Sequence, residues 1–369
     1  MRIVVLTSSR ADYGIYLPLL KKLKADNFFD LKIIAFGTHL SRFHGYTVER
    51  IEQDGFEIVE KLETLILGDS ETAISNAIGN TVSRFAAIWE KLKNQVDLVF
   101  ALGDRYEMFA AVTASIPFNI QIAHLHGGET TLGAIDNKFR HAITLMSSIH
   151  FAATESYCEK IKRLIGQEHY IFNVGALSIE NLDNFQLLSK IAFQKQFNID
   201  ISIPTILTTF HPETVSIEKN ETYTKILVDT FEKLSKDYQI VITMPNADTM
   251  GSMIRNYFVE LSKKNSKIVC VENFGSLGYF SCIKYCSFLL GNTSSGIIEA
   301  ASLGKYVINI GDRQKGRARS ENVIDVEVDM VKILESVQKI KSDYKGENVY
   351  YIENSSNKII KALKDMNDK

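Results

Sequence analysis

The chain has 369 residues, of which 45% are hydrophobic and 23% are charged, and its formal net charge is −2. This length exceeds the usual size of one hydrophobic core, so we expect two domains. The small net charge excludes a global electrostatic attraction to nucleic acid or to an anionic membrane. We also expect no membrane span, because no stretch approaches the roughly 18 apolar residues that a transmembrane helix needs.

The cysteines and the N-terminus bear on the cellular compartment. The four cysteines form no CxxC pair and are few for a disulfide framework. The apolar run at 3–6 is too short for the hydrophobic region of a signal peptide. Both features are typical of a reducing compartment, so the sequence predicts a cytoplasmic location.

Short apolar runs alternate with longer amphipathic stretches through the first half of the chain. Apolar strands separated by helices favour a parallel sheet that is covered on both faces. In chain order the pattern predicts strands at 3–6, 31–36, 98–102, 120–123 and 170–174, and helices at 13–24, 73–92, 106–115, 138–146 and 156–165.

This alternation of strands and helices stops over residues 180–203, a polar stretch without a strong strand, and then resumes. We place the connection between the domains there. The second series predicts strands at 205–209, 240–244, 268–271, 288–290 and 307–310, and helices at 222–234, 252–263, 277–283, 295–303 and 358–369.

The expected fold is α/β, with two Rossmann-like, doubly wound domains that face each other across a ligand-binding cleft. We assign residues 1–178 to the N-terminal domain, 179–203 to a connection, 204–350 to the C-terminal domain and 351–369 to a closing helix.

The turn at 7–14, with sequence TSSRADYG, joins the first strand to the first helix. Small residues and free N–H groups at a helix start favour phosphate binding, and Arg10 adds a bidentate phosphate partner. The alternative is a plain turn that is capped by Asp12. The turn lacks GxGxxG, so it does not favour a dinucleotide site.

Two turns of the second half have a similar character. The turn at 291–296, GNTSSG, supplies three hydroxyls at a helix start, and Glu299 one turn later has a carboxylate suited to ribose hydroxyls. The loop at 311–319 has four basic residues beside glycines, which suits a diphosphate. A capped helix and a solvated basic loop are the respective alternatives.

Polar residues follow two strands of the first half and one strand of the second. They are the GDR triplet at 103–105, the HLHGGE segment at 124–129 with Asp136 beyond it, and His211 in the FHPE segment. Carboxylates and histidines at strand ends are typical of general acid–base chemistry. The His-x-His spacing is also compatible with zinc, but no second ligand pair of matching type follows, so we predict no metal.

Together these segments resemble the UDP-N-acetylglucosamine 2-epimerase family, and most closely its hydrolysing branch. The similarity follows the family order of motifs from the N-terminus to about residue 325. Besides the segments above it includes GTHL at 37–40, GAID at 133–136, RHAIT at 140–144, Pro245-Asn246 and DRQKGR at 312–317.

The resemblance implies the GT-B fold of glycosyltransferases and a mechanism that uses neither metal nor NAD. The family eliminates the nucleoside diphosphate to give 2-acetamidoglucal, and the hydrolysing branch then adds water. The expected reaction converts UDP-N-acetylglucosamine to N-acetylmannosamine and UDP, in the biosynthesis of sialic or legionaminic acid. The resemblance also implies a homodimer or homotetramer.

Carried over position by position, the resemblance assigns two groups of site residues. The catalytic candidates are Asp104, His126, Glu129, Asp136 and His211. The candidates for contact with the diphosphate, ribose or base are Arg10, Gly14, Arg105, Phe274, Thr293, Ser294, Ser295, Glu299, Arg313 and Arg317, with His211 also expected at the diphosphate.

Other functions stay open on the sequence. Non-hydrolysing relatives and some hydrolysing ones have Glu at the position of His126, so the base near C2 is either His126 or Glu129. The same reaction on a UDP- or GDP-linked 2,4-diacetamido-2,4,6-trideoxyglucose is one alternative. A non-hydrolysing epimerase, a GT-B glycosyltransferase and a non-catalytic nucleotide-sugar sensor are the others.

Overall fold

The computed structural model describes residues 1–68, 70–245 and 250–367, so Asn246 of the Pro245-Asn246 motif lies outside the described residues. The chain forms two compact units. Unit 1 comprises Met1–Glu129, Asp136–Asn181 and Tyr350–Lys369, and unit 2 comprises Thr130–Ile135 and Leu182–Val349. The chain therefore enters unit 2 for six residues between Glu129 and Asp136 before it returns to unit 1.

Unit 1 contains a seven-stranded parallel sheet in the order β3-β2-β1-β4-β5-β6-β7. The order reverses between β1 and β4, which is the switch point where doubly wound folds bind ligands. The strands are β1 (Arg2–Thr7), β2 (Asp30–Phe36), β3 (Ile58–Leu62), β4 (Leu98–Leu102), β5 (Ile122–Leu125), β6 (Ile149–Ala152) and β7 (Ile171–Asn173).

Helices cover both faces of this sheet because successive strand residues point to opposite sides. On β1, Ile3 and Val5 pack in one buried cluster, and Val4 and Leu6 pack in another. The helices are α1 (Arg10–Ala25), α2 (Val48–Gln53), α3 (Glu71–Leu92), α4 (Tyr106–Ser115), α5 (Asp136–Leu145), α6 (Glu155–Ile165) and α7 (Leu177–Asn184).

Unit 2 contains a six-stranded parallel sheet in the order β10-β9-β8-β11-β12-β13. Its strands are β8 (Thr205–Thr209), β9 (Gln239–Thr243), β10 (Ile268–Val271), β11 (Phe288–Gly291), β12 (Val307–Ile310) and β13 (Val323–Val326). Its helices are α8 (Lys190–Phe197), α9 (Asn220–Leu234), α10 (Gly251–Lys264), α11 (Gly275–Tyr285), α12 (Ser294–Ile298) and α13 (Met330–Lys339).

The last helix, α14 (Ser355–Asn367), packs in unit 1, where Ile359 and Leu363 join the buried cluster that contains Ile3. Lys364 of α14 pairs with Asp26, the residue after α1, at 2.6 Å. None of the helices in the described part of the chain is long and apolar enough to span a membrane.

The predicted architecture of two doubly wound parallel α/β domains is confirmed. The predicted helix at 295–303 is the short helix α12 followed by a 3-10 turn at Ala300–Leu303, and the polar stretch 180–203 includes part of α7 and all of α8. Three strands were not predicted: β3 and β13 are edge strands with a neighbour on one side only, whereas β6 lies between β5 and β7. The helices α2 and α13 were not predicted either.

Candidate active site

The turn after β1 is organised by Asp12. The carboxylate accepts hydrogen bonds from the backbone N–H groups of Ser8 (2.9 Å) and Ser9 (3.1 Å) and from both hydroxyls (2.7 and 2.6 Å). Ser9 and Asp12 form a capping box at the start of α1. The capped-turn interpretation thus accounts for Asp12, whereas Arg10 is the first residue of α1 and its side chain is exposed.

Two predicted substrate contacts of unit 1 already have structural partners. The carbonyl of Gly14 accepts a hydrogen bond from Asn181 Nδ2 at 2.6 Å. The guanidinium of Arg105 donates to the Glu107 carboxylate at 2.7 Å, and Glu107 is 1% exposed. Burial alone would lower the pKa of Arg105, but the Glu107 carboxylate raises it above its usual value. The first contact joins α7 to α1, and the second holds the residue that precedes α4.

Asp104, on the turn after β4, is paired with a buried arginine of α5. Arg140 is 1% exposed and forms an ion pair with the Asp104 carboxylate. Asp136 is the first residue of α5 and lies four positions before Arg140, so both project from one face of the helix. Helix α5 therefore contains both Asp136 and the arginine that pairs with Asp104.

His126 and Glu129 form a buried pair directly after β5. Nδ1 of His126 lies 2.7 Å from a carboxylate oxygen of Glu129, and their side chains are 10% and 2% exposed. Within the described residues, Nε2 of His126 is buried and has no hydrogen-bond partner. His126 also has φ +62°, a left-handed conformation that is costly for a residue other than glycine. In this turn, Nδ1 of His126 is therefore bonded to the Glu129 carboxylate, and Nε2 is the ring nitrogen that stays available.

His124 was not predicted as a site residue, but it supports this region from within the sheet. It is fully buried, and its Nε2 lies 2.8 Å from the carbonyl of Gly103 while its Nδ1 lies 3.1 Å from the Thr144 hydroxyl. Burial lowers the pKa of His124 to about 3, so the ring is neutral and donates to Gly103 from Nε2. His124 therefore ties the end of β5 to the turn that carries Asp104.

In unit 2, His211 lies directly after β8 and its backbone is held by a buried asparagine. The N–H of His211 donates to Asn292 Oδ1 at 2.7 Å, and Asn292 Nδ2 donates to the carbonyl of His211 at 2.8 Å. Asn292 is fully buried, and both its amide oxygen and its amide nitrogen are hydrogen-bonded to this backbone. The backbone of His211 is thereby fixed beside the turn at 291–296.

Glu213 connects the same segment to the loop at 311–319, which we call the basic loop. Its carboxylate accepts the N–H of Asp312 at 2.7 Å and is 3% exposed. Burial raises the pKa of Glu213, although hydrogen bonds from the backbone of Asp312 and Arg313 oppose this effect. Asn220 in turn holds the backbone N–H and carbonyl of Glu213, each at 2.9 Å. Glu213 thus fixes the start of the basic loop.

Three of the four basic residues of this loop contact different partners. Lys315 pairs with Asp312 at 3.2 Å, and Arg319 pairs with Asp325. Nη1 of Arg313 lies 3.4 Å from the carbonyl of Asn292, which also accepts from Gln314 Nε2 at 2.8 Å. The structure therefore brings Arg313 to the turn that contains the predicted serines.

Helix α12 begins beside this loop. The Thr293 hydroxyl caps it by accepting the N–H of Ser295 at 3.4 Å, and Ser294 is its first residue. Glu299 directly follows α12 and is 7% exposed. The capping interpretation therefore holds for Thr293.

Phe274, predicted beside the base, lies in the core of unit 2. It is 6% exposed and packs against Phe193 and Phe197, with ring centroids 5.4 and 4.8 Å away. These contacts orient the ring at the start of α11. Its contact with a base stays a prediction.

The predicted site residues thus form two groups. Asp104, His126 and Glu129 lie in unit 1 after β4 and β5, with Asp136 at the start of α5, and His211 lies in unit 2 with the residues of the turn at 291–296 and the basic loop. Within the described residues, no group of three or more His, Cys, Asp or Glu side chains is arranged to hold a metal ion.

Comparisons with known proteins identify the family. The family model for UDP-N-acetylglucosamine 2-epimerase matches residues 21–364. The chain is 35% identical to a GDP/UDP-N,N'-diacetylbacillosamine 2-epimerase (hydrolyzing) of Campylobacter jejuni. The 328 aligned residues cover 89% of this chain and 84% of the relative. The chain is 33% identical over 365 residues to a UDP-N,N'-diacetylbacillosamine 2-epimerase (hydrolyzing) of Legionella pneumophila, covering 98% and 95% of the two chains.

A solved structure supports the fold independently. The UDP-GlcNAc 2-epimerase of Neisseria meningitidis, bound to UDP-GlcNAc, has a TM-score of 0.83 at 19% identity, covering 99% of this chain and 100% of the other. The chain therefore belongs to the UDP-N-acetylglucosamine 2-epimerase family, and it is a nucleotide-sugar 2-epimerase of the hydrolysing branch.

Proposed function

We propose that the protein hydrolyses a UDP-linked 2-acetamido sugar with inversion at C2, releasing UDP and the free 2-epimer. The first candidate substrate is UDP-N,N'-diacetylbacillosamine, a 2,4-diacetamido-2,4,6-trideoxyglucose, because two relatives at 35% and 33% identity are named for it. UDP-N-acetylglucosamine, which the sequence resemblance implies, is the second candidate, because the matching family is described by that substrate.

The proposed reaction has two steps. In the first, the bond from C1 to the diphosphate oxygen and the C2–H bond break, C1 and C2 become doubly bonded, and UDP departs with the electron pair. In the second, water adds its oxygen to C1 while C2 receives a proton on the opposite face. Inversion at C2 thus requires one group that removes a proton and a second group, on the other face, that returns one.

The observation that carries the proposal is the His126–Glu129 pair. Because Nδ1–H donates to Glu129, the neutral ring has its lone pair on Nε2, the buried nitrogen without a partner in the described structure. We assign proton removal from C2 to Nε2, and to Glu129 the stabilisation of the imidazolium that forms. A carboxylate that orients a histidine base is an established arrangement in other enzymes.

Asp104 and Asp136 supply the second set of groups that inversion needs. Arg140 pairs with Asp104 and shares a helix face with Asp136, whereas His126 is paired with Glu129. We assign to them the activation of water and the return of a proton to C2. Two separate acid–base sets have no use in a non-catalytic sensor.

The residues of unit 2 suit the departing diphosphate. We assign His211, Ser294, Ser295, Arg313 and Arg317 to its oxygens and Glu299 to the ribose hydroxyls. Arginines and hydroxyls that are fixed before the reaction stabilise the charge that builds on the leaving group. The backbone clamps on His211 and on the basic loop provide this preorganisation.

Proton NMR in D₂O tests the function. The protein is incubated without added metal or NAD with UDP-N,N'-diacetylbacillosamine, the GDP-linked form or UDP-N-acetylglucosamine in separate tubes. The expected result is UDP or GDP together with a free 2-epimer that has deuterium at C2. A 2-epimer that stays bound to its nucleotide, or no turnover of any of the three substrates, would overturn the proposal.

A further inference from the structure

The six residues between Glu129 and Asp136, residues 130–135, form a segment that we call the strap. Glu129 and Asp136 both belong to unit 1, whereas the strap packs as a part of unit 2. Each of these two proposed acid–base residues is therefore joined by one peptide bond to a segment that unit 2 holds.

Two backbone hydrogen bonds anchor the strap to the polar segments of unit 2. The N–H of Leu132 donates to the carbonyl of Lys315, in the basic loop, at 3.0 Å. The N–H of Ile135 donates to the hydroxyl of Thr214 at 2.9 Å. The second anchor lies directly before Asp136, so the backbone that leads into Asp136 is fixed by Thr214.

Close packing adds to these anchors. A Cβ atom on Gly133 would lie 2.6 Å from Cα of Arg313 and 2.7 Å from its nitrogen, closer than real Cβ atoms come. A Cβ atom on Gly316 would lie 2.6 Å from the Thr130 methyl group. The strap and the basic loop thus touch through bare backbone, and neither moves without displacing the other.

We propose that the strap transmits the occupancy of the basic loop by a nucleoside diphosphate to Glu129 and Asp136. The inference rests on the proposed function, which places the diphosphate at Arg313 and Arg317. When the diphosphate is bound, the basic loop is held, and the strap holds the backbone at both of its ends. When the diphosphate leaves, the strap loosens, and the acid–base residues relax before the next substrate binds.

In this scheme Gly133 and Thr214 are positioning residues. Neither has to touch the substrate. Gly133 allows the strap to approach Arg313, and Thr214 fixes the entry into α5, the helix that Asp136 begins. Loss of the Thr214 hydroxyl therefore affects the chemical steps more than it affects the binding of UDP.

Hydrogen–deuterium exchange of the full-length protein tests the coupling. Exchange of the peptide that covers residues 129–136 is measured with and without saturating UDP, and with GDP in a parallel arm. Calorimetry on the same samples reports whether each nucleotide binds. We expect the bound nucleotide to slow exchange of Leu132 and Ile135 together with the basic loop. Exchange of the strap that is unchanged by a bound nucleotide would overturn the inference.

The variant Thr214→Val removes the acceptor of the Ile135 N–H and keeps the shape of the side chain. We expect kcat to fall by about tenfold, with UDP affinity within about threefold of the wild type, because misplaced catalytic groups reduce rates steeply. Nucleotide-dependent protection of Ile135 should be lost, and Thr214→Ser should restore both quantities. The matched control is Val215→Ala, since Val215 is the next residue and is 57% exposed.

The outcomes separate this inference from the proposed function. If the wild type binds UDP and turns over a nucleotide sugar but Thr214→Val behaves like Val215→Ala, the strap has no positioning role and the function stands. If neither UDP nor GDP binds and no nucleotide sugar is turned over, the function fails, and the strap inference fails with it.

Discussion

The polar turns of the two units are stabilised by different chemical groups. In unit 1 the supports are titratable: His124 holds the carbonyl of Gly103, and Arg140 holds Asp104. In unit 2 the carboxamides of Asn220 and Asn292 bind backbone groups of the segment that begins at His211, and one titratable group, the carboxylate of Glu213, binds the backbone of the basic loop.

This difference matches the roles proposed for the two units, which are acid–base chemistry in unit 1 and diphosphate binding in unit 2. Proton transfer requires groups whose protonation changes, and ionisable neighbours hold such groups in a defined charge state. Binding of a diphosphate requires donors at fixed positions, and carboxamides provide these without changing charge with pH. Changes in unit 1 should therefore affect kcat and acid stability, whereas changes in unit 2, outside the strap and its anchor Thr214, should affect nucleotide affinity.

The largest expected effect comes from the proposed base in unit 1. His126→Gln cannot accept the C2 proton, so kcat should fall by about 10³, within the usual range for general acid–base catalysis. Glu129→Gln should cost about 10², because the ring stays in place but its imidazolium is less stabilised. Steady-state kinetics and calorimetry with UDP measure both quantities, and UDP affinity should stay within about threefold in each variant.

Hydration of 2-acetamidoglucal provides the control for this prediction. His126→Gln should still add water to the supplied glucal, since we assign that step to Asp104 and Asp136. Asp104→Asn should lose it. A His126→Gln enzyme with wild-type kcat, or one that has lost UDP affinity as well, would contradict the division between the units.

The second effect is expected in unit 2 and concerns Glu213. Glu213→Ala removes the acceptor of the Asp312 N–H, so the basic loop should loosen and the Kd of UDP should rise by about tenfold, which is about 1.4 kcal/mol. Glu213→Gln should restore affinity, because its amide oxygen accepts the same N–H. Calorimetry with UDP is the measurement. A glutamine variant as weak as the alanine variant would show that the charge, and not the hydrogen bond, is what matters.

The smallest effect is on the acid stability of unit 1. His150 pairs with His124 across β5 and β6, is fully buried, and has no hydrogen-bond partner on either nitrogen within the described residues. Burial lowers its pKa from 6.5 to about 4. Between these values the unfolded chain binds a proton and the folded chain does not. Its contribution is therefore complete above pH 6.5 and is lost as the pH falls towards 4.

His150→Leu should remove this dependence. Between pH 7.5 and pH 5.0 it should reduce the loss of unfolding free energy by about 2 kcal/mol. At pH 7.5 it should stabilise the protein by about 1 kcal/mol, because an unsatisfied buried group is replaced by an apolar one. Urea unfolding followed by Trp89 fluorescence reports on unit 1, since Trp89 is buried there and the chain has one tryptophan.

The exposed His169 provides the matched control in unit 1. His169→Leu should leave the pH dependence of unfolding unchanged. If His150→Leu instead destabilised unit 1 at pH 7.5, the His150 ring would have a partner that offsets its burial, and the contrast between the units would be weaker than we infer.

The elements that the sequence predicted well are those with strong apolar periodicity. The strands at 98–102, 205–209, 268–271 and 307–310 and the helix at 106–115 have the predicted bounds. Of these strands, β4, β8 and β12 are interior strands that are buried on both faces and largely apolar, which makes them recognisable. The interior strand β6 is equally buried but was not predicted, because its four residues, IHFA, are a short run that includes a histidine. The edge strands β3 and β13 contain charged residues, IVEKL and VIDV, because part of their surface faces solvent.

The sequence by itself predicted which side chains carry chemistry, because polar residues that follow apolar strands mark the strand ends where α/β folds bind ligands. Only the tertiary structure decided what holds them. Asn292 acts on the backbone of His211 from 81 residues away, and Arg140 acts on Asp104 from 36 residues away. Such long-range contacts leave no local sequence pattern, because the folded path of the chain brings the two partners together.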